Sequence, residues 1–375
     1  MRENLGMATD PRIHHYIPQA YLRGFGWKRG EKTWHVHAWD VPGQRRFQPN
    51  TKNICCERDF NKFDNGEDSP YKLESEMAKF ENLARQAILH VAESRTFAGQ
   101  DRNCILNFIA LLAVRSPEMR ENMRGTQERL LKMVTKVSMS NKQYFEATLE
   151  KMRAENVTVG DDLTYQRMKE FADREEYTIQ VPRERHIVSE FKLVDAVLKY
   201  LDIRKWKLYV LRKGEESFVT TDHPVSLTWF EPDKIPPHIR HSPGHGMKST
   251  ELIFPLTSNT LLHGRFDFDK DEVEEAGGTL AAACNSRMIA SCYRYAFSRS
   301  EKIPYLIPPN NLYFDDQVLV RLKQYADSKP KAEKPRERSW SVRDGPPIPK
   351  MIDAPEVEEP DWPSPKYDAI FGPRE

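Results

Sequence analysis

Apolar and polar residues alternate with period two near the start of this chain, and that pattern soon gives way to helical spacing. Residues 33–40 read Thr-Trp-His-Val-His-Ala-Trp-Asp, the alternation of a strand, and Pro42-Gly43 closes it with a turn. Phe47 opens a second extended piece, so a hairpin is expected over 33–50, and another short strand over 54–63. Then Leu73, Met77, Phe80, Leu83, Ala84, Ala87, Ile88 and Val91 recur at three and four residues, one apolar stripe on a helix over 72–94. A second helix opens at Gly99-Gln100-Asp101, and its core from Ile105 to Val114 is apolar almost all round, which predicts burial at a domain centre. Ser116-Pro117 starts the next helix. Helices are expected at 117–136, 140–154, 161–173 and 183–201, then strands at 207–212, 218–221, 252–256 and 260–266. A Pro- and His-rich loop spans 231–249, a long small-residue helix covers 273–297, and a last helix covers 315–325.

These elements predict an α+β fold: one large domain over 10–325, with a central helical layer and short, mostly antiparallel strands at both ends. From Ala326 the chain changes. Ten of its 26 prolines lie in the last fifty residues among charges, so 326–375 is expected to be a disordered tail, able to serve as an arm for a protein partner.

Composition narrows the class. The chain has 375 residues, is 39% hydrophobic and 30% charged, and carries a formal net charge of +1. That balance gives no global pull toward nucleic acid or membrane, so any anion site must be local. No apolar run approaches the roughly 20 residues that span a bilayer, and no signal-peptide core follows Asp10 and Arg12. A cytoplasmic protein is expected. The five cysteines form no CxxC pair, which argues for buried thiols rather than a zinc knuckle. GxxxxGK[ST], GxGxxG and GxSxG motifs are missing.

The densest chemistry lies in His14-His15-Tyr16-Ile17-Pro18-Gln19. Imidazole suits proton transfer and metal ligation near neutral pH, and the proline fixes the backbone just beyond the pair. This stretch, continued by Ala20-Tyr21-Leu22-Arg23-Gly24-Phe25, resembles the opening block HHYxPxxxLRxF of the family named for domain of unknown function 4238 (DUF4238). Glu74 to Glu81 is similar to its acidic helix. Phe108-Ile109-Ala110 with Arg115-Ser116-Pro117 resembles its buried helix ending in Arg-Thr-Pro. Phe218 to Val225 is similar to its FITSDNPV block, with His223 where asparagine is usual, so a role built on that amide does not carry over. Phe254-Pro255-Leu256-Thr257 and Asn285 match the last two blocks. The resemblance spans about 13–300 and implies one domain, without an activity.

The blocks together nominate His14, His15, Glu74, Glu81, Arg115, Asp222, His223 and Asn285. Glu74 and Glu81 are two helical turns apart and share a face. Histidines with carboxylates make a ligand set for Zn²⁺, Mn²⁺ or Mg²⁺, which activates water for phosphodiester hydrolysis. His14-His15-Tyr16-Ile17-Pro18 also looks like the first segment of HNH nucleases, which implies His15 as base and His14 as ligand. Asn53 and Asn61 are the nearby asparagines that pattern needs, and no second helix histidine follows. The expectation is therefore a metal-dependent nuclease or phosphodiesterase acting on nucleic acid. His15, His14 and Asp222 would be catalytic, and His14, Glu81, Asp222 and His223 would hold a divalent metal. Free-standing bacterial families of this kind often serve in defence. The alternative is a non-enzymatic binding module: the histidines fix the fold, Asp222 accepts backbone N–H bonds, and Glu81 pairs with Arg23 or Arg115.

Overall fold

A computed structural model of the chain describes residues 12–64, 66, 69–160, 163–175, 177–214, 217–328 and 349–352. The first segment contains β1 (Ile13–His15), α1 (Gln19–Leu22), β2 (Trp27–Arg29), β3 (Thr33–His35), β4 (His37–Asp40), β5 (Arg45–Phe47) and β6 (Cys56–Arg58). Long helices follow: α2 (Lys72–Ser94), α3 (Gly99–Val114), α4 (Pro117–Ser138), α5 (Lys142–Ala154), α6 (Tyr165–Arg174) and α7 (Arg183–Asp202). Strands return as β7 (Lys205–Leu211), β8 (Thr220–Thr221), β9 (Ser226–Trp229), β10 (Thr250–Pro255), β11 (Thr260–Arg265) and β12 (Glu272–Ala276). The chain continues through α8 (Gly278–Ser291), β13 (Tyr295–Ser298), β14 (Ile303–Ile307), β15 (Asn311–Asp315) and α9 (Val318–Ser328). The α+β class is as the sequence implies.

Two compact units emerge. One joins the described residues up to Ser116 with those from Glu190 onward; the other is Pro117–Ser189. The span 10–325 is thus a discontinuous body with a helical segment set into its sequence. Within that segment Phe145 packs its ring on Tyr165, whose hydroxyl donates to Met139 O at 2.9 Å. Its α4 buries no residue and exposes Leu130, Met133, Val134 and Val137 along one face.

In the discontinuous unit, the largest sheet has the order β12-β7-β11-β10-β9, and its β12–β7 edge is parallel. A four-stranded sheet, β5-β4-β13-β8, interleaves strands from both ends of the chain: Trp39 sits opposite Ala296, and Ala296 opposite Thr221. Helix α8 packs on β14 through its small residues Ala281 and Ala282, which let backbone approach backbone. Around it close Trp39, Phe218, Ile253, Met288 and Tyr305.

A second cluster fixes the histidine segment. Tyr21 stacks on Phe254 at 5.5 Å and meets Phe108 at 5.9 Å. Its hydroxyl donates to Pro255 O at 2.7 Å and lies 2.7 Å from Thr220 Oγ1. Tyr21 therefore anchors α1, and with it β1, to the end of β10.

Several sequence expectations change. The helix expected at 273–297 is β12, α8 and β13 in turn, because Gly277-Gly278 ends the strand and opens the helix. The strand expected at 54–63 shrinks to β6, since Asp59 adopts a positive φ of 57° and turns the chain. The hairpin β14–β15 lies where no element is expected. Of the expected tail, residues 326–328 complete α9. Met351 bridges to Met247, with Lys248 N donating to Lys350 O and Ile352 N to Gly246 O. The rest of 326–375 lies outside the described residues. No helix among the described residues is long and apolar enough to cross a membrane.

Candidate functional site

Strand β1 pairs antiparallel with β6, His14 opposite Glu57 and His15 opposite Cys56. Alternation along a strand turns the two rings to opposite faces. His14 is fully buried and His15 half-buried. Adjacent histidines on a strand are thus poorly placed to share one ligand.

His14 is held by Asn61. The Asn61 backbone N–H donates to His14 Nδ1 at 2.8 Å, and its side-chain Nδ2 donates to Glu74 Oε2 at 2.7 Å. Glu74 Oε2 lies 3.8 Å from His14 Nδ1, and Tyr71 places its ring edge-on to the imidazole at 5.9 Å. Since Nδ1 accepts a backbone N–H, the neutral ring carries its proton on Nε2. The turn after β6 is thereby tied both to β1 and to the first turn of α2. Neither Asn61 nor Asn53, which closes a 3-10 turn at Thr51–Asn53, stands as a loop asparagine of an HNH site.

A second group lies around His15. Arg115, only 3% exposed, sits just past the end of α3 and donates from Nη2 to Glu81 Oε1 at 2.8 Å. The same nitrogen is 3.4 Å from His15 O. Glu81 pairs with Arg115 and not with Arg23, whose Nη2 donates to Gln19 at 2.8 Å. Burial pushes the Glu81 carboxyl pKa up, against the pull of Arg115, and Glu74 adds to the rise. Burial pulls the His15 pKa down, against the Glu74 charge and the backbone of Thr51 and Lys52. Three buried nitrogens in this group have no hydrogen-bond partner: His15 Nε2, Arg115 Nε and Arg115 Nη1. Buried polar groups are rarely left so, and each calls for an explanation.

Asp222 does other work. Its oxygens accept from the backbone N–H of Tyr293 at 3.0 Å, Arg294 at 2.7 Å and Tyr295 at 2.9 Å. Burial raises its pKa to about 6, against those three donors. It fastens the end of β8 to the turn before β13. Its charge reaches Tyr16 and Cys55. His223 donates its backbone N–H to Thr221 Oγ1 at 3.1 Å and lies toward His245. Burial, then Arg204 and His223, brings the His245 pKa down to about 3. Asn285, fully buried, accepts from Val219 N at 2.9 Å and donates to Ser217 O at 3.1 Å and Pro304 O at 3.0 Å. It joins α8 to two neighbouring segments.

The donors expected to hold a divalent cation do not fit one. His14 Nδ1 and both Asp222 oxygens already accept backbone N–H bonds, and Glu81 accepts from Arg115. Among the described residues no group of three or more His, Cys, Asp or Glu is arranged to hold a metal. The five cysteines are free, and burial raises every thiol pKa, so they act as small apolar side chains. The role of Asn61 was hidden in sequence because its bond to His14 comes from the backbone.

The family model described as Protein of unknown function (DUF4238) matches residues 13–302. The chain belongs to that family. No curated protein and no solved structure matches it. In this DUF4238 chain the matched span covers both groups: His14–Asn61–Glu74, and His15–Glu81–Arg115. It also covers the Asp222 and Asn285 fastenings, which hold backbone rather than ligand.

Proposed function

We propose that this chain is a hydrolase of phosphodiesters in nucleic acid, working through His15 and Arg115. One observation carries the reading. The buried guanidinium of Arg115 leaves Nε and Nη1 without a hydrogen-bond partner, its Nη2 lies 3.4 Å from the backbone O of His15, and His15 Nε2 is likewise unpartnered. Guanidinium N–H groups without a partner donate well to phosphate oxygens. A neutral imidazole nitrogen accepts the proton of an attacking water.

In this reading Arg115 binds the phosphate oxygens and stabilises charge as it develops. Water forms the new P–O bond while the bond to the leaving oxygen breaks. The proton from water goes to His15 Nε2 and returns through solvent to the leaving oxygen. Glu81 is a positioning residue: its bond to Nη2 holds the guanidinium of Arg115 in place. No step here is routed through a metal. A second reading, a binding module without turnover, draws on His14, Asp222 and Asn285, whose polar atoms are spent on backbone.

The test is cleavage of single-stranded DNA, duplex DNA, RNA and bis(p-nitrophenyl) phosphate. Each is run in EDTA and, separately, in Mg²⁺, Mn²⁺ and Zn²⁺. The expected result is turnover in EDTA that falls about 100-fold or more in a folded His15→Ala protein. Turnover that needs metal and survives His15→Ala overturns the proposal. Binding without turnover under any condition selects the module.

A further inference from the structure

A cavity of about 250 Å³ opens between α1, α2 and the β10–β11 turn. Three arginines line it: Arg23 after α1, Arg85 on α2, and Arg299 after β13. No carboxylate lines it. Among the described residues none of the three arginines has an ion-pair partner. Arg23 donates only to the neutral Gln19, and its buried Nε has no partner. Three guanidiniums around one space repel each other unless an anion joins them. Burial, and after it the neighbouring charge of Arg85, pull the Arg23 pKa down.

The walls are fixed. Ser258 N donates to Gly24 O at 3.1 Å, which joins the β10–β11 turn to the segment carrying Arg23. Thr257 Oγ1 lies 2.8 Å from Thr260 Oγ1 and accepts from Asn259 N, so the turn is internally braced. Asn259 adds a side-chain amide at the exposed rim. Trp34, on β3, is half-buried and completes the wall. Its ring stacks on no other ring among the described residues. Arginines beside an indole that no other ring covers suit a phosphate with an attached base. The volume sits just below the ~300–1,000 Å³ of drug-sized pockets, room for a phosphate and its sugar.

We propose that this cavity binds the phosphate of a nucleotide unit, with the phosphate among Arg23, Arg85 and Arg299 and the base against Trp34. The site goes beyond the cleavage reading and does not depend on it: a chain that binds but never cuts keeps the inference. Arg85 lies one helical turn beyond Glu81 on α2. The unit comes from a free nucleotide or from a strand, and the two share one chemistry.

Isothermal titration of the full chain with inorganic phosphate, AMP and a short oligothymidylate tests it. AMP and the oligomer should bind saturably, each more tightly than phosphate, with affinity falling as salt rises. Tighter oligomer than AMP assigns the strand as the source, and the reverse assigns the free nucleotide. Arg85→Ala and Arg299→Ala should each weaken binding about tenfold, the loss of one charge-assisted contact. Both should leave the melting temperature unchanged, since neither arginine holds an ion pair. Trp34→Ala should weaken AMP but not phosphate. Absence of saturable binding, binding indifferent to the arginine substitutions, or AMP no tighter than phosphate overturns the proposal.

Discussion

Replacing Arg115 by methionine separates a site from a scaffold. The guanidinium is 3% exposed and stands 2.8 Å from Glu81 Oε1, whose side chain is 17% exposed. Unit charges about 4 Å apart attract by ~4 kcal/mol at an effective dielectric of about 20. Withdrawing both from water cancels much of that gain, so the pair adds little net stability. Removing one partner is another matter. Arg115→Met leaves Glu81 buried with only Glu74 as a charged neighbour, and both influences push its pKa further up. The expected cost at pH 7 is ~3–5 kcal/mol. The deficit has a sign in pH. A carboxyl whose folded pKa exceeds its unfolded value stabilises below the unfolded pKa and loses that contribution as pH rises through the folded one. The gap between Arg115→Met and the parent should therefore narrow as pH falls into the carboxylate range. The double variant Arg115→Met, Glu81→Leu removes both charges and should return to within ~1 kcal/mol of the parent. Urea unfolding followed by circular dichroism reads all three, with an unchanged slope confirming comparable states. A single-variant cost below ~1 kcal/mol at pH 7, or a double variant no better than the single, refutes the argument. The folded double variant is also the cleanest protein in which to look for lost turnover.

Asp222→Ala strips three backbone N–H groups of their acceptor and should cost ~3 kcal/mol or more, read as a lower melting temperature. A wild-type melting temperature would show that water replaces the carboxylate. His15 has a folded pKa below its ordinary 6.5, so its contribution is present above that value and lost as pH falls through the folded pKa. His15→Ala should lose less stability than the parent between pH 7 and 5, and parallel profiles would contradict this.

The helices were legible because their apolar stripes are long: Leu73 to Val91 on α2 and Ile105 to Val114 on α3 need no partner to be read. The C-terminal strands were harder. The Ala281-Ala282-Ala283 run looked like the centre of one long helix, and the strand that precedes it is fixed by parallel pairing with β7, a contact that sequence does not display. The site was half legible. The blocks that resemble the family brought out His15, Glu81 and Arg115, and Arg115 bonds both Glu81 and the backbone O of His15. His14, Asp222 and Asn285 are as polar, but backbone partners take up their capacity, and a backbone group carries no residue signal. The three cavity arginines lie in separate blocks about 62 and 214 residues apart, and only the fold brings them to one space.

The interleaved four-stranded sheet puts a clock on synthesis. Strand β4 has its ladder partner in β13, where residue 39 meets residue 296. At about 5–20 residues per second, a ribosome makes β4 wait roughly 13–50 s for its neighbour. Throughout that interval β4 has only the three-residue β5 beside it, and the other edge of Ala38 and Trp39, both buried in the finished protein, stays unpaired. Such long-range pairing folds slowly and exposes an adhesive edge while it waits. Nascent chains stalled before β13 are therefore the form in which this protein most needs a chaperone, and the form most prone to aggregate.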